Sequence, residues 1–140
     1  KMYNGKMILR FDDTNPSKEN DNFVENIKSD IKTMGIYPER VTYTSDYFDI
    51  IQEHMKTMIK KGFCYADNTE HEEMKRQRDE GIESTHRLNT EEFNLEKFEQ
   101  MIVGDDKAKG WCIRAKMNMQ NLVKCLRDPV LYRSNESKHH

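Results

Sequence analysis

Two adjacent carboxylates close a short apolar run in "ILRFDDTNP", residues 8 to 16. Met7, Ile8, Leu9 and Phe11 read as a buried strand, and a turn follows at once. Asp12 and Asp13 therefore stand at the C-terminal end of a strand, where ligands bind in open parallel sheets. A carboxylate at that place could hold an ammonium group, a ribose hydroxyl or a metal ion. Neighbouring residues on extended backbone face opposite ways, so the two acids do not make an acid–base dyad. Asp13, or Asn15, also has a structural reading: it could cap the coming helix or close an Asx-turn. Arg10 shares a face with Asp12, and the expectation is that it orients that carboxylate rather than serving only as a satisfied buried arginine. The six glycines are scattered, so no glycine-rich phosphate cradle is present.

A second chemical signal is charge. The net charge of −2 hides an asymmetry. Residues 67–106 hold five basic and thirteen acidic side chains, whereas 107–140 hold eight basic and two acidic. A basic final third permits phosphate contacts, although such runs are often solvated faces. Lys75, Arg76 and Arg78 read as solvated helix charges. The three cysteines, Cys64, Cys112 and Cys125, are odd in number and far apart. They fit neither a disulfide framework nor a zinc knuckle, which points to a reducing compartment and to ordinary core positions.

The elements that must position these groups alternate at first. Ser17 is a candidate N-cap after Pro16, and Phe23, Val24, Ile27, Ile31 and Met34 recur at helical spacing up to Gly35. "VTYT" is a second strand. Tyr47, Phe48, Ile51, Met55, Met58 and Ile59 make the next helix face, which Gly62 ends. With "FCYA" as a third strand, the order describes an α/β layer of parallel strands.

Beyond Asp67 the texture changes. "TEHEEMKRQRDEG" is a charged helix, "GIESTHRLN" a polar connection, and "TEEFNLEKFEQMIVG" a helix capped by Thr90. "WCIRAKM" alternates like a half-exposed strand, with Trp111, Ile113, Ala115 and Met117 on one face and Arg114 and Lys116 on the other. "PVLYR" is another strand, joined to it by "NMQNLVKCLRD". No run is apolar enough to span a membrane, and no signal peptide, internal repeat or low-complexity linker is evident.

The long stretch "YNGKMILRFDDTNPSKENDNFVENIKSDIKTMGI", with "VTYTSDYFD", "CIRAKMNMQ" and "LRDPVLYRSN…HH", resembles the glutamyl- and glutaminyl-tRNA synthetases, which are class I aminoacyl-tRNA synthetases. "RFDDTNP" and "RDPVLYR" carry the resemblance most specifically. "GIESTHR" and "YRSN" resemble the glutamyl enzymes of eukaryotic and archaeal type, which ranks glutamate first and a glutaminyl-tRNA synthetase fragment as the alternative. The fold so implied is α/β. Residues 1–62 would end the first Rossmann-like nucleotide-binding half-domain, and 63–140 would form part of an α+β insertion that binds the tRNA acceptor end.

The resemblance also implies site residues and partners. Asp12 would bind the α-ammonium of the amino acid, a charge-assisted contact, with Arg10 in support. The hairpin "QNLVKCLRD" would approach the acceptor-stem minor groove, where shape and 2′-hydroxyls are read. Leu122, Lys124 and Arg127 are its candidates for tRNA contact, joined by Arg114 and Lys116. For Arg127 the competing reading is an internal ion pair with Asp128. Ile82 would be the wedge at the first acceptor base pair. His139 and His140 match a His-His pair of the family. ATP and Mg²⁺ are implied for a full-length enzyme, and glutamate, ATP and the tRNA acceptor end as its partners. No structural metal and no membrane are expected in this stretch, and accessory proteins would bind through other domains. The His-Ile-Gly-His and Lys-Met-Ser-Lys type signatures are absent, so the chain is expected to be an internal fragment, inactive alone, of a cytoplasmic ligase. A non-catalytic RNA-binding or scaffold module is the reading from a different class.

Overall fold

The computed structural model describes residues 5–15 and 21–134. The expected entry residues Pro16 and Ser17, and the pair His139 and His140, lie outside the described residues. The chain divides into two compact units between Ile51 and Gln52, within one helix, where the sequence expectation set the boundary near residue 62.

The first unit is built on β1 (Ile8–Phe11) and β2 (Arg40–Tyr43), which run parallel with Ile8 opposite Arg40 and Phe11 opposite Tyr43. Parallel neighbours need a crossover, and α1 (Asp21–Thr33) supplies it. The helix stops at Gly35, whose φ of +71° suits a residue without Cβ, and the Ile36 N–H closes back on the Ile31 carbonyl. Tyr43 stacks on Phe11, and Lys28 of α1 reaches over the Tyr43 ring. The periodic face of α1 is only partly covered: Val24 and Ile31 are half-buried, but Phe23 and Met34 are exposed. A two-stranded layer about 5 Å between strands is too narrow to cover a whole helical stripe.

In the second unit, β3 (Cys64–Asp67), β4 (Cys112–Ala115) and β5 (Val130–Arg133) form an antiparallel sheet in the order β3-β4-β5. "FCYA" therefore does not extend the parallel layer. It pairs Cys64 with Ala115 and Asp67 with Cys112. A short apolar run carries no information about its partner, and the pairing is decided by the strand that is contributed 48 residues further on, at Cys112. One sheet face presents Cys64, Ala66 and Ile113 to α2 (Phe48–Lys60) and α4 (Glu91–Ile102), where Met55, Ile59, Phe98 and Met101 complete the core. Thr90 caps α4 as expected, accepting the Phe93 N–H. The open edge of β3 is closed by asparagines: Asn94 accepts the Ala66 N–H, and Asn89 donates to the Ala66 carbonyl.

Candidate functional site

The acids at the end of β1 take different roles. Asp12 is exposed and makes no hydrogen bond with any described residue. Asp13 is buried and accepts from the Ser45 N–H at 2.9 Å and the Ser45 hydroxyl at 2.5 Å. It thus ties the end of β1 to the start of the 3₁₀ turn Ser45–Tyr47, across 32 residues of sequence. The expectation for Arg10 needs correction. Its guanidinium donates to the Thr44 hydroxyl, at 3.0 Å from Nη2, and not to Asp12. Thr44 in turn donates to the Phe11 carbonyl. The reason is the register: Arg10 lies opposite Thr42, so Thr44 is its diagonal neighbour across the strand pair. Arg10, Arg40, Thr42 and Thr44, with Tyr47 and Ile51, line an open recess of about 350 Å³.

The other sheet, in the second unit, has an ionic face. Tyr65, Asp67 and Arg114 alternate with the apolar core residues, and Arg114 is 0% exposed. Its Nη1 lies 2.7 Å from Asp67 Oδ2, and its Nε donates to the Asp128 carbonyl at 2.9 Å. The expected half-exposed face is thus covered by the loops around it. Arg114 was a candidate for RNA contact, and at this depth its guanidinium is directed inward. Burial pushes the Asp67 carboxyl up, but hydrogen bonds from the Thr69 hydroxyl and N–H and from Arg114 outweigh it and hold the group below the usual aspartate range. Asp128, with φ of +41°, accepts from the Tyr65 hydroxyl, the Met117 N–H and Arg87 Nη1. Burial raises the Tyr65 phenol far above its ordinary value.

The remaining candidates fall on the surface loops of this unit. Arg127 does not pair with Asp128. It donates to the carbonyls of Asn121, Arg78 and Asp79, because Asp128 is already taken by Arg87. Its expected role in direct RNA contact is corrected on the same ground, since these donors point inward. Arg78, expected to be solvated, donates to the carbonyls of Arg127 and Lys124. Lys124 is half-exposed and pairs with Asp79, whose carboxyl it holds low. Lys116 and Ile82 are exposed, and Leu122 is 96% exposed. Lys75 and Arg76 are on the surface as expected, in ion pairs along their helix. Cys64 and Cys112 are buried, but Cys125 is exposed, against the expectation of a core position.

Sequence reasoning missed Asp67, Arg87 and Asp128 as one buried network. The only signal was parity: alternation put Arg114 on the face opposite Ile113, but alternation does not say what covers that face. Among the described residues no three potential metal ligands come together, and no glycine-rich cradle forms.

The chain thus combines a parallel strand pair that ends in an exposed carboxylate with, later in sequence, an antiparallel sheet carrying basic loops. The tRNA synthetases class I (E and Q), catalytic domain, match residues 1–140, and the chain belongs to that family. It is 49% identical over 138 residues to the probable cytoplasmic glutamate–tRNA ligase of Dictyostelium discoideum. To that of Schizosaccharomyces pombe it is 50% identical over 138 residues, and to the cytoplasmic glutamate–tRNA ligase of Arabidopsis thaliana 45%. Each match covers 99% of this chain but only 18–19% of the relative's length. No described helix is long and apolar enough to cross a membrane.

Proposed function

We propose that this chain is part of a cytoplasmic glutamate–tRNA ligase. The observation that carries the reading is identity of 45–50% to ligases of that name along 99% of the chain. The whole protein would activate glutamate with ATP as a substrate, aided by magnesium, and transfer it to the terminal adenosine of tRNA. On this reading the parallel pair belongs to a Rossmann-like half-domain, and the antiparallel unit is the acceptor-binding insertion. The switch from parallel to antiparallel pairing at Cys64 supports that assignment.

Within the proposed site, Asp12 holds the α-ammonium of glutamate. Its exposure at the end of β1, with no internal partner among the described residues, supports this. Asp13 fixes the strand end by clamping Ser45, which keeps Asp12 at the crevice. Arg10 shapes the neighbouring recess through Thr44. Lys116, Lys124, Leu122 and Ile82 face the acceptor end of the tRNA.

The test is tRNA charging by the whole protein that carries this chain. Glutamate, and not glutamine, should be attached. Asp12→Asn should lower glutamate kcat/KM about ten- to a hundredfold, the value of one charge-assisted bond. Asp13→Asn should lower the thermal midpoint more than the glutamate affinity. Charging with glutamine alone would make the protein a glutaminyl enzyme, and RNA binding without charging of either amino acid would make it a binding module. Wild-type glutamate kinetics in Asp12→Asn would remove the residue from the pocket.

A further inference from the structure

The loop after α3 (His71–Glu80) and the hairpin 117–128 are joined by an unusual set of contacts. A helix leaves its last carbonyls without partners. Here the hairpin supplies them: Arg127 Nη1 donates to the Arg78 and Asp79 carbonyls at 2.9 and 3.0 Å, and Gln120 Nε2 donates to the Gly81 carbonyl at 2.6 Å. Arg127 carries positive charge to a helix C-terminus, where the helix dipole favours it. In return, Arg78 donates to the carbonyls of Arg127 and Lys124 at 3.0 and 3.1 Å. The two arginines thus clasp each other's backbone. Packing is close as well, since a Cβ on Gly81 would meet the Met119 carbonyl at 3.0 Å.

Both clasped loops expose large aliphatic side chains. Leu122 is almost fully exposed, Val123 is 54% exposed, and Ile82 follows Gly81 directly. Polar groups hold the loops from within while large aliphatic side chains stand in solvent. Exposed aliphatic side chains thus stand on both loops that the polar contacts join, with Leu122 and Val123 just before Lys124 in sequence.

We propose that Arg78 is a positioning residue for tRNA: by clasping Arg127 and Lys124 it locks the 81–84 loop and the 118–127 hairpin into one edge, so that Ile82 and Leu122 meet the acceptor end in a fixed register. The inference rests on the proposed function and names the residue that sets its RNA-facing geometry. Pre-ordering an edge lowers the ordering cost at binding. Its loss should therefore appear in tRNA affinity and leave the chemistry at saturating tRNA alone.

The experiment compares Arg78→Met, Arg78→Lys and Gln120→Ala in the whole protein. Arg78→Met should raise the KM for tRNA about tenfold, with kcat at saturating tRNA and the KM for glutamate within about twofold of wild type. Arg78→Lys should recover only part, because an ammonium does not fork across two carbonyls. Gln120→Ala, which breaks only the Gly81 link, should shift the tRNA KM in the same direction by less. Hydrogen exchange should quicken at 81–82 and 122–127 together in Arg78→Met. The proposal is overturned if kcat falls while the tRNA KM stays, the pattern of a merely structural arginine. It is equally overturned if both loops keep wild-type protection. A wild-type protein that charges no tRNA would fail the functional reading before any variant is made, and the exchange measurement would still decide the clasp.

Discussion

Arg114→Met offers the sharpest test of the second unit. The side chain is fully buried and makes two strong contacts, to Asp67 at 2.7 Å and to the Asp128 carbonyl at 2.9 Å. Methionine fills much of the stem's volume, so the perturbation is mainly loss of the guanidinium. Thr69 keeps two donors on Asp67 Oδ1, at 2.7 and 2.5 Å, but Oδ2 loses its partner in a dry site. Removing one member of a buried pair costs about 3–5 kcal/mol, because a charge is left without compensation. The assay is urea unfolding of the 140-residue chain followed by its single tryptophan, Trp111, which sits in this unit against His86 and Phe93. Asp67→Asn in the same background removes the stranded charge, so the double variant should lose less than the sum of the two. Arg76→Met, which breaks only exposed pairs with Glu73 and Glu80, is the control and should leave the midpoint nearly unchanged. A loss below about 1 kcal/mol for Arg114→Met, the size of an exposed pair, would refute the reasoning.

Two further outcomes follow from the same unit. The folded Asp67 carboxyl lies below its unfolded value of about 3.9, so its contribution is present above that pH and is lost as pH falls through the folded value. Unfolding midpoints should hold from pH 7 to about 5 and then drop below about pH 4, more steeply in wild type than in Asp67→Asn; equal slopes would contradict the assignment. Burial pushes the Cys64 and Cys112 thiols up to about 11, whereas Cys125 is exposed. Since the thiolate is the reactive form, iodoacetamide at pH 8 should label Cys125 first, and intact mass should show the other two labelled only in denaturant.

Much of the local structure was legible in the residues. Helical spacing and caps are local properties, so Gly35, Gly81 and Thr90 mark helix ends in the sequence as they do in the fold. The strand ending at Asp12 and Asp13 was equally plain, as was the family, since "RFDDTNP" and "RDPVLYR" are contiguous motifs. Tertiary structure alone decided where each charge points. Alternation put Arg114 opposite Ile113, but only the loops folded over that face made it a buried partner of Asp67. Likewise Arg10 took Thr44, Asp13 took Ser45, and Arg127 took the end of α3, each across 32 to 49 residues of sequence. Side chains of that length reach any of several partners, and burial selects among them, because a polar group taken out of water must be paired wherever the chain has brought a partner.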